Sequence, residues 1–487
     1  MSASVSRGHK EKPMKTGTEY LDWVVKIARS MGAKKVEAVV SRQSSLLKRV
    51  WYGKIHQNPA GDSYGLNLGL IKDGRYITGG ISTLDERNTE QLIEKLLSEV
   101  PHMPETDLPE LSLKFPDRFP GEEILLTGYD ERTAALNSKD AVRKLSELKE
   151  YLQEFEATKD IVWSGKMAMS EGEVWFGNSN DVRLRHAYTG SFLNCYAFPN
   201  PYEEPEMSTY SASGHFVVDK IDVGKVAWEL AFKTAFQKGK KRINLFEGRN
   251  SAEAEFDVIM EPYALAPIIG WVSMFSFNGL NYLRGSSALS GRMGQIVTGA
   301  NISIIDEPLR FSPSPFDGEG YPKKSIALID KGVLKAVATD STIARMLGTP
   351  NTAHASLPTG KSGGAMPSQI SLMVDCQPLS IGEMVDRCML PTIWITKTHY
   401  IAMPHIQSAE VTGTTQHGVF LIDKGKITPI YNLRFKQKMF EALSRVETAG
   451  PQLVVYDAWD EGGTSPFFLP ALKIKDFKFL GGTTLEN

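Results

Sequence analysis

Gly360-Lys361-Ser362-Gly363-Gly364 has the GxSxG spacing of a nucleophile elbow, where a serine exposed on a sharp turn attacks a carbonyl, and His354 nearby is a candidate base. The same residues end like a phosphate-binding loop. Neither motif has its required context. An elbow follows a buried strand and opens a helix, whereas Ser362 follows His354-Ala355-Ser356-Leu357-Pro358-Thr359 and precedes Ala365-Met366-Pro367. A phosphate loop needs glycine where this chain has Ala355. A glycine-rich loop is the expectation, with Ser362 and His354 kept as candidates for nucleophilic chemistry and the carboxylates Glu261 and Asp257 as further candidates in a hydrolase.

A zinc hydrolase of the usual kind needs two histidines on one helix and a glutamate that takes a proton from the bound water. None of the nine histidines supplies this pattern. His399 and His405 are closest in spacing, yet the extended chain between them spans about 20 Å, too far for one ion unless the chain turns at Met403-Pro404. Cys195, Cys376 and Cys388 are scattered and odd in number, which fits a reducing cytoplasm rather than a disulfide framework. The polar opening residues lack the apolar core of a secretory signal, so export is not expected.

The elements that must position these groups follow from periodicity and punctuation. An apolar helical face at Leu21, Val24, Val25, Ile27 and Ala28 precedes strand-like alternation at 36–43, 46–52, 64–71 and 75–81, with Asp73-Gly74 as a turn. A second helix is predicted over 88–100, a proline-rich linker over 101–120, and a charged helix over 139–157. Strands at 160–169, 172–177, 181–198 and 207–218 then lead to a helix over 223–238. Lys238, Lys240, Lys241 and Arg242 read as a solvated helix end. Val258–Phe277 is apolar enough to test as a membrane span. Pro262 and Pro267, the strand-like residues 255–260 before them and the lack of basic flanks predict instead strand, turn and buried helix, with Pro262 near the first helical position.

Two short runs, 328–332 and 421–425, both read Leu-Ile-Asp-Lys-Gly and predict hairpins whose three-residue loop places Gly in the left-handed region. Strands and helices recur without a regular βαβ rhythm. The predicted fold class is therefore α+β, with strand-rich lobes of antiparallel or mixed sheets flanked by helices. At 487 residues, with 41% hydrophobic and 23% charged residues, the chain can bury one very large core or two to three ordinary ones. Its 55 basic and 57 acidic residues give a formal charge of −2, so nothing in the global field draws it to nucleic acid or an anionic membrane.

Several segments together carry a family resemblance. They are Gly32-Ala33 with the strands after it; Phe256 to Asp306, including GSSALSGRMGQIVTGANISIIDE at 285–307; 316–354, beginning FDGEGYPKK; VTGTTQHGVFLIDKGKITPIYNLRF from Val411 to Phe435; and Leu469 to Ile474. The chain resembles the TldD/PmbA (TldE) family, once called modulators of DNA gyrase and later understood as a peptidase system. The resemblance implies an amino-terminal α/β domain over 15–110, a strand-rich middle domain over 111–245 and a carboxyl-terminal domain over 246–487.

In the TldD-like branch, HExxxH supplies two zinc ligands and the base, and a cysteine near the carboxyl terminus supplies a third ligand. Carried onto this sequence, those positions fall on Glu261, Pro262 and Ala266, with the cysteine expected among residues 456–459, where none occurs. The resemblance is thus to the PmbA/TldE-like branch that lacks the motif. It implies no cofactor in this chain, zinc residing instead in a TldD-like protease partner, and an unfolded peptide as substrate of the pair. Asp317, Glu319 and Gly320 match a family motif that shapes either a cavity or a turn. The alternatives are an independent hydrolase with an unrecognised site and a homodimeric binding or scaffold protein.

Overall fold

The computed structural model describes residues 17–105, 128–247, 253–310, 315–456 and 466–482. Its first half comprises α1 (Gly17–Ser30), β1 (Lys35–Trp51), β2 (Lys54–Gln57), β3 (Ala60–Lys72), β4 (Arg75–Ile81) and α2 (Glu86–Glu99). There follow α3 (Glu131–Ala134), α4 (Ser138–Glu154), β5 (Val162–Asn178), β6 (Arg183–Phe198), β7 (Thr209–His215) and α5 (Val223–Thr234). These strands form one sheet in the order β4-β3-β1-β5-β6-β7, with β2 on β1.

Alternation along β1 sets how the sheet is covered. Val36, Ala38 and Val40 pack with Tyr20, Leu21 and Val24 of α1 and Ile93 and Leu96 of α2. Farther along, Leu46 and Val50 pack with Leu145 and Leu148 of α4 and Val226 and Leu230 of α5. Val39, out of phase with these, meets Phe176 and Phe316. The strands expected at 36–43 and 46–52 are one strand, as are those at 160–169 and 172–177. β1 and β5 pair from Glu37↔Asn178 to Val50↔Gly165, so the segments 15–110 and 111–245 share a sheet. The predicted linker lies outside the described residues from 106 onward.

The second half begins with β8 (Ala254–Met260), α6 (Pro262–Ser276), α7 (Gly279–Leu283), β9 (Ile302–Asp306), β10 (Ile326–Asp330), β11 (Val333–Leu334) and α8 (Ser341–Leu347). It continues through β12 (Ile370–Val374), α9 (Ile381–Asp386), β13 (Thr392–His405), β14 (Glu410–Asp423), β15 (Lys426–Pro429) and β16 (Leu433–Lys438). The last elements are α10 (Met439–Leu443), β17 (Val446–Ala449), β18 (Leu453–Val455), β19 (Phe467–Leu469) and β20 (Leu472–Gly482). One sheet runs β11-β10-β9-β12-β19-β18 and the other β13-β8-β20-β16-β14-β15, with β17 on β20. Pairing is parallel in β8–β13 and β12–β19 and otherwise antiparallel, which is the predicted α+β class with mixed sheets.

α6 packs against β13 of one sheet and β18 and β19 of the other. Its residues are apolar all round, as a central helix requires, and Pro262 occupies its first turn, where a missing amide costs least. Among the described residues no helix is long and apolar enough to cross a membrane.

Both Leu-Ile-Asp-Lys-Gly runs form hairpins, with a correction to the turn. Pairing extends to Asp330↔Val333 and Asp423↔Lys426, leaving two-residue turns in which lysine as well as glycine has positive φ: Lys331 45° and Gly332 80°, Lys424 50° and Gly425 77°. This is the primed-turn geometry that matches strand twist. The basic run is not wholly solvated: the Arg242 side chain is buried, bonded to Glu204 at 2.7 Å and stacked on Tyr431.

Candidate functional site

β8 delivers the chain to Glu261, which caps α6 from an extended conformation (φ −70°, ψ 160°). Its amide donates to Ile395 O at 2.9 Å, but its carboxylate makes no capping bond to the helix. The carboxylate turns instead to Lys233 Nζ at 2.7 Å and to Trp394 Nε1, which donates to it at 2.8 Å. Lys233 is on the buried face of α5 and also donates to Tyr210 O at 3.3 Å. Trp394 comes from β13, within a cluster of Phe232, Phe236 and Phe420. Burial pushes the Glu261 carboxyl above its ordinary range, and the charge and hydrogen bond of Lys233 oppose that rise. Beside this group opens a largely apolar cavity of about 410 Å³, whose walls include Trp228, Phe232, Pro262, Ile381, Leu453 and Ala471.

Zinc does not fit the motif-matching positions. The carboxylate of Glu261 is committed to two donors, Pro262 has no side-chain ligand, and the Ala266 methyl is fully buried in the core around α6. At the expected cysteine neighbourhood Tyr456 is buried, while 457–459 lie outside the described residues. Among the described residues no group of three or more His, Cys, Asp or Glu side chains could hold a metal. His399 and His405 both lie on β13, and His405 faces Glu410 at 3.6 Å. Asp257 of β8 accepts the Asp476 amide at 3.4 Å.

Asp317 and His354 line a second, separate cavity, and Glu319 and Gly320 follow Asp317 in the turn beside it without lining it. Asp317 accepts the amides of Glu319 (3.0 Å), Tyr321 (2.8 Å) and Ala355 (2.9 Å), so its carboxylate organises a turn and ties it to the strand of chain after His354. Burial raises the Asp317 carboxyl, against the pull of those amides. Glu319 accepts the Ser341 amide at the start of α8 (3.1 Å). His354 meets Asp306 Oδ2 through Nε2 at 2.6 Å and Thr352 O through Nδ1 at 2.8 Å. Both ring nitrogens face oxygen acceptors, leaving neither to serve as a base for Ser362. Ser362 lies in the turn Pro358–Gly363, and its side chain is outside the described residues.

Gly320 has φ +82°, and a Cβ there would stand 2.5 Å from the Phe176 ring. Gly320→Ala is expected to cost about 1–2 kcal/mol for the backbone conformation alone, and more for displacing the ring that joins the two halves. Gly348→Ala, with φ +66° and open space around it, should show only the backbone cost. Urea unfolding of both variants checks this, and equal losses would contradict the Phe176 contact.

Sequence reasoning singled out Glu261 but missed Lys233, Trp394 and Asp306. A lysine in phase with Val226, Leu230 and Ala231 on an apolar helical face was the available signal for Lys233.

Residues 253–481 match the PmbA/TldA metallopeptidase C-terminal domain. The chain is 25% identical over 305 residues to an uncharacterised protein of Methanocaldococcus jannaschii, covering 61% of this chain and 64% of that protein. It is 22% identical over 192 residues to a metalloprotease of Methanothermobacter thermautotrophicus, 39% of each. The matches thus span less than two thirds of either relative's length. TldE from Thermococcus kodakarensis has the same fold, with a TM-score of 0.77 at 16% identity over 95% of this chain and 100% of that one. A proposed modulator of a DNA gyrase from Thermotoga maritima gives 0.74 at 18% identity over 95% and 99%.

Proposed function

We propose, from the premise that the chain belongs to the TldD/PmbA family, that it is a TldE-like subunit without a zinc centre of its own. It pairs with a zinc-bearing TldD-like protease and helps build the chamber in which that partner cleaves unfolded peptides. The observation that carries this reading is the Lys233–Glu261–Trp394 group. Where the resemblance puts the first metal ligand, the side chain is satisfied by a cation and an indole, which supports a structural rather than a catalytic role there.

An unfolded peptide as substrate is supported by strand β18, which is at the edge of its sheet among the described residues and runs into the apolar cavity through Leu453. An extended backbone can add to such an edge irrespective of its side chains. The cytoplasm is the proposed compartment, in keeping with Cys195, Cys376 and Cys388 being free thiols.

Co-expression with a TldD-like chain, followed by native mass measurement and cleavage of an unstructured peptide, tests the pairing. A mixed assembly that cleaves, and whose activity survives the paired change Lys233→Met with Glu261→Gln in this chain, is expected. A self-associating chain that leaves the TldD-like protein's cleavage unchanged would overturn the reading in favour of a homodimeric scaffold.

A further inference from the structure

The second cavity, about 360 Å³, forms where Val39 and Val174 of the first sheet meet Phe316, Asp317 and the chain from His354 to Leu357. Lys323 also lines it. Its two carboxylate neighbours are already satisfied. Asp306 receives His354 Nε2 and the amides of Ser368 (2.9 Å) and Gln369 (2.6 Å), and Asp317 receives three amides. Among the described residues the Lys323 amine forms neither a hydrogen bond nor an ion pair; Asp306 and Asp317 act on it only at longer range. Burial pulls Lys323 below the ordinary lysine range and outweighs the opposing pull of those two carboxylates. An amine without a partner, half-buried in the wall of a cavity lined in part by Val39, Val174 and Phe316, is placed as a nucleophile open to a small ligand.

We propose that Lys323 is a nucleophilic amine and that its cavity takes a small aldehyde or ketone with an apolar body, held as an imine. The nitrogen lone pair attacks the carbonyl carbon, forming the N–C bond as the carbonyl π electrons move to oxygen. Transfer of a proton from nitrogen to oxygen gives the carbinolamine. Protonation of its hydroxyl by solvent, loss of water and release of the remaining nitrogen proton leave the C=N bond, with no change in oxidation state. The apolar body of the ligand lies against Val39, Val174 and Phe316. This site is separate from Glu261 and does not depend on a protease partner.

The test uses the full chain at neutral pH with limiting isobutyraldehyde, borohydride reduction and mapping of the alkylated lysines by mass spectrometry. Lys324, the exposed neighbour, is the internal reference. Lys323 is expected to label several-fold faster than Lys324, because burial lowers its basicity and leaves more of the amine unprotonated at neutral pH. Lys323→Met should remove that adduct while labelling at Lys324 persists. Equal rates at Lys323 and Lys324 in the unsubstituted chain would overturn the proposal, whether or not Lys323→Met folds. Labelling spread evenly over surface lysines would do the same.

Discussion

Lys233→Met should destabilise the chain by about 3–5 kcal/mol at neutral pH, because removing one partner of a buried ion pair strands the other charge. Lys233 and Glu261 are both almost wholly buried, and the remaining donor to the Glu261 carboxylate is an uncharged indole. The loss has a defined pH dependence. Burial already raises the Glu261 carboxyl with Lys233 present, and without the lysine it rises further. A carboxyl whose folded pKa lies above its unfolded value binds protons more tightly in the native state. Its contribution is therefore greatest below the unfolded glutamate value, about 4.3, and declines as pH rises through the folded value. The deficit of Lys233→Met should accordingly be smallest in mild acid and grow toward neutrality. Glu261→Gln in the same chain should recover much of it. Urea unfolding at a series of pH values measures both effects; a deficit below about 1 kcal/mol, unchanged with pH, would mean that Glu261 is solvated.

His354→Leu should be nearly as damaging, about 3 kcal/mol or more, and should show the opposite acid behaviour in the parent chain. Burial tends to raise the Asp306 carboxyl, but the hydrogen bond and charge of His354, with the Gln369 amide, prevail and hold it below the ordinary range. A depressed carboxyl contributes stability above its unfolded value, about 3.9, and loses it as pH falls through the folded value. The parent chain should therefore lose this contribution on acidification. In His354→Leu the burial effect is unopposed by the histidine, so the two chains should converge in stability as pH falls below about 4. Parallel pH–stability curves with a constant offset would contradict the pairing.

Strands with unbroken alternation were legible in the sequence, and interrupted ones were not. β1 and β5 each look broken at a polar midsection, yet the two midsections face one another, Ser44 against Glu171 and Ser45 against Ser170, with Arg42 reaching Glu171 at 3.4 Å. A local window sees polar residues where the sheet has a cross-strand polar patch. α6 was legible because prolines and an apolar run constrain it strongly. The hairpin turns were located but misassigned, since the extent of pairing, not the Asp-Lys-Gly composition, decides loop length.

At the candidate site Glu261 stood out as the lone charge in an apolar run. Its partners did not, because Trp394 lies 133 residues away and only the parallel pairing of β8 with β13 brings them together. The Asp317 turn likewise depends on Ala355, 38 residues on. Side chains that satisfy a buried carboxylate come from topology, which no spacing rule encodes.

Zinc content, measured on this chain alone and on its co-expressed complex with a TldD-like protein, alongside cleavage of an unstructured peptide by each, bears most directly on the subunit role. The expected result is no stoichiometric zinc and no cleavage for the chain alone, with zinc matching the TldD-like chain and chelator-sensitive cleavage in the complex. Stoichiometric zinc in the isolated chain, or cleavage without the partner, would contradict it.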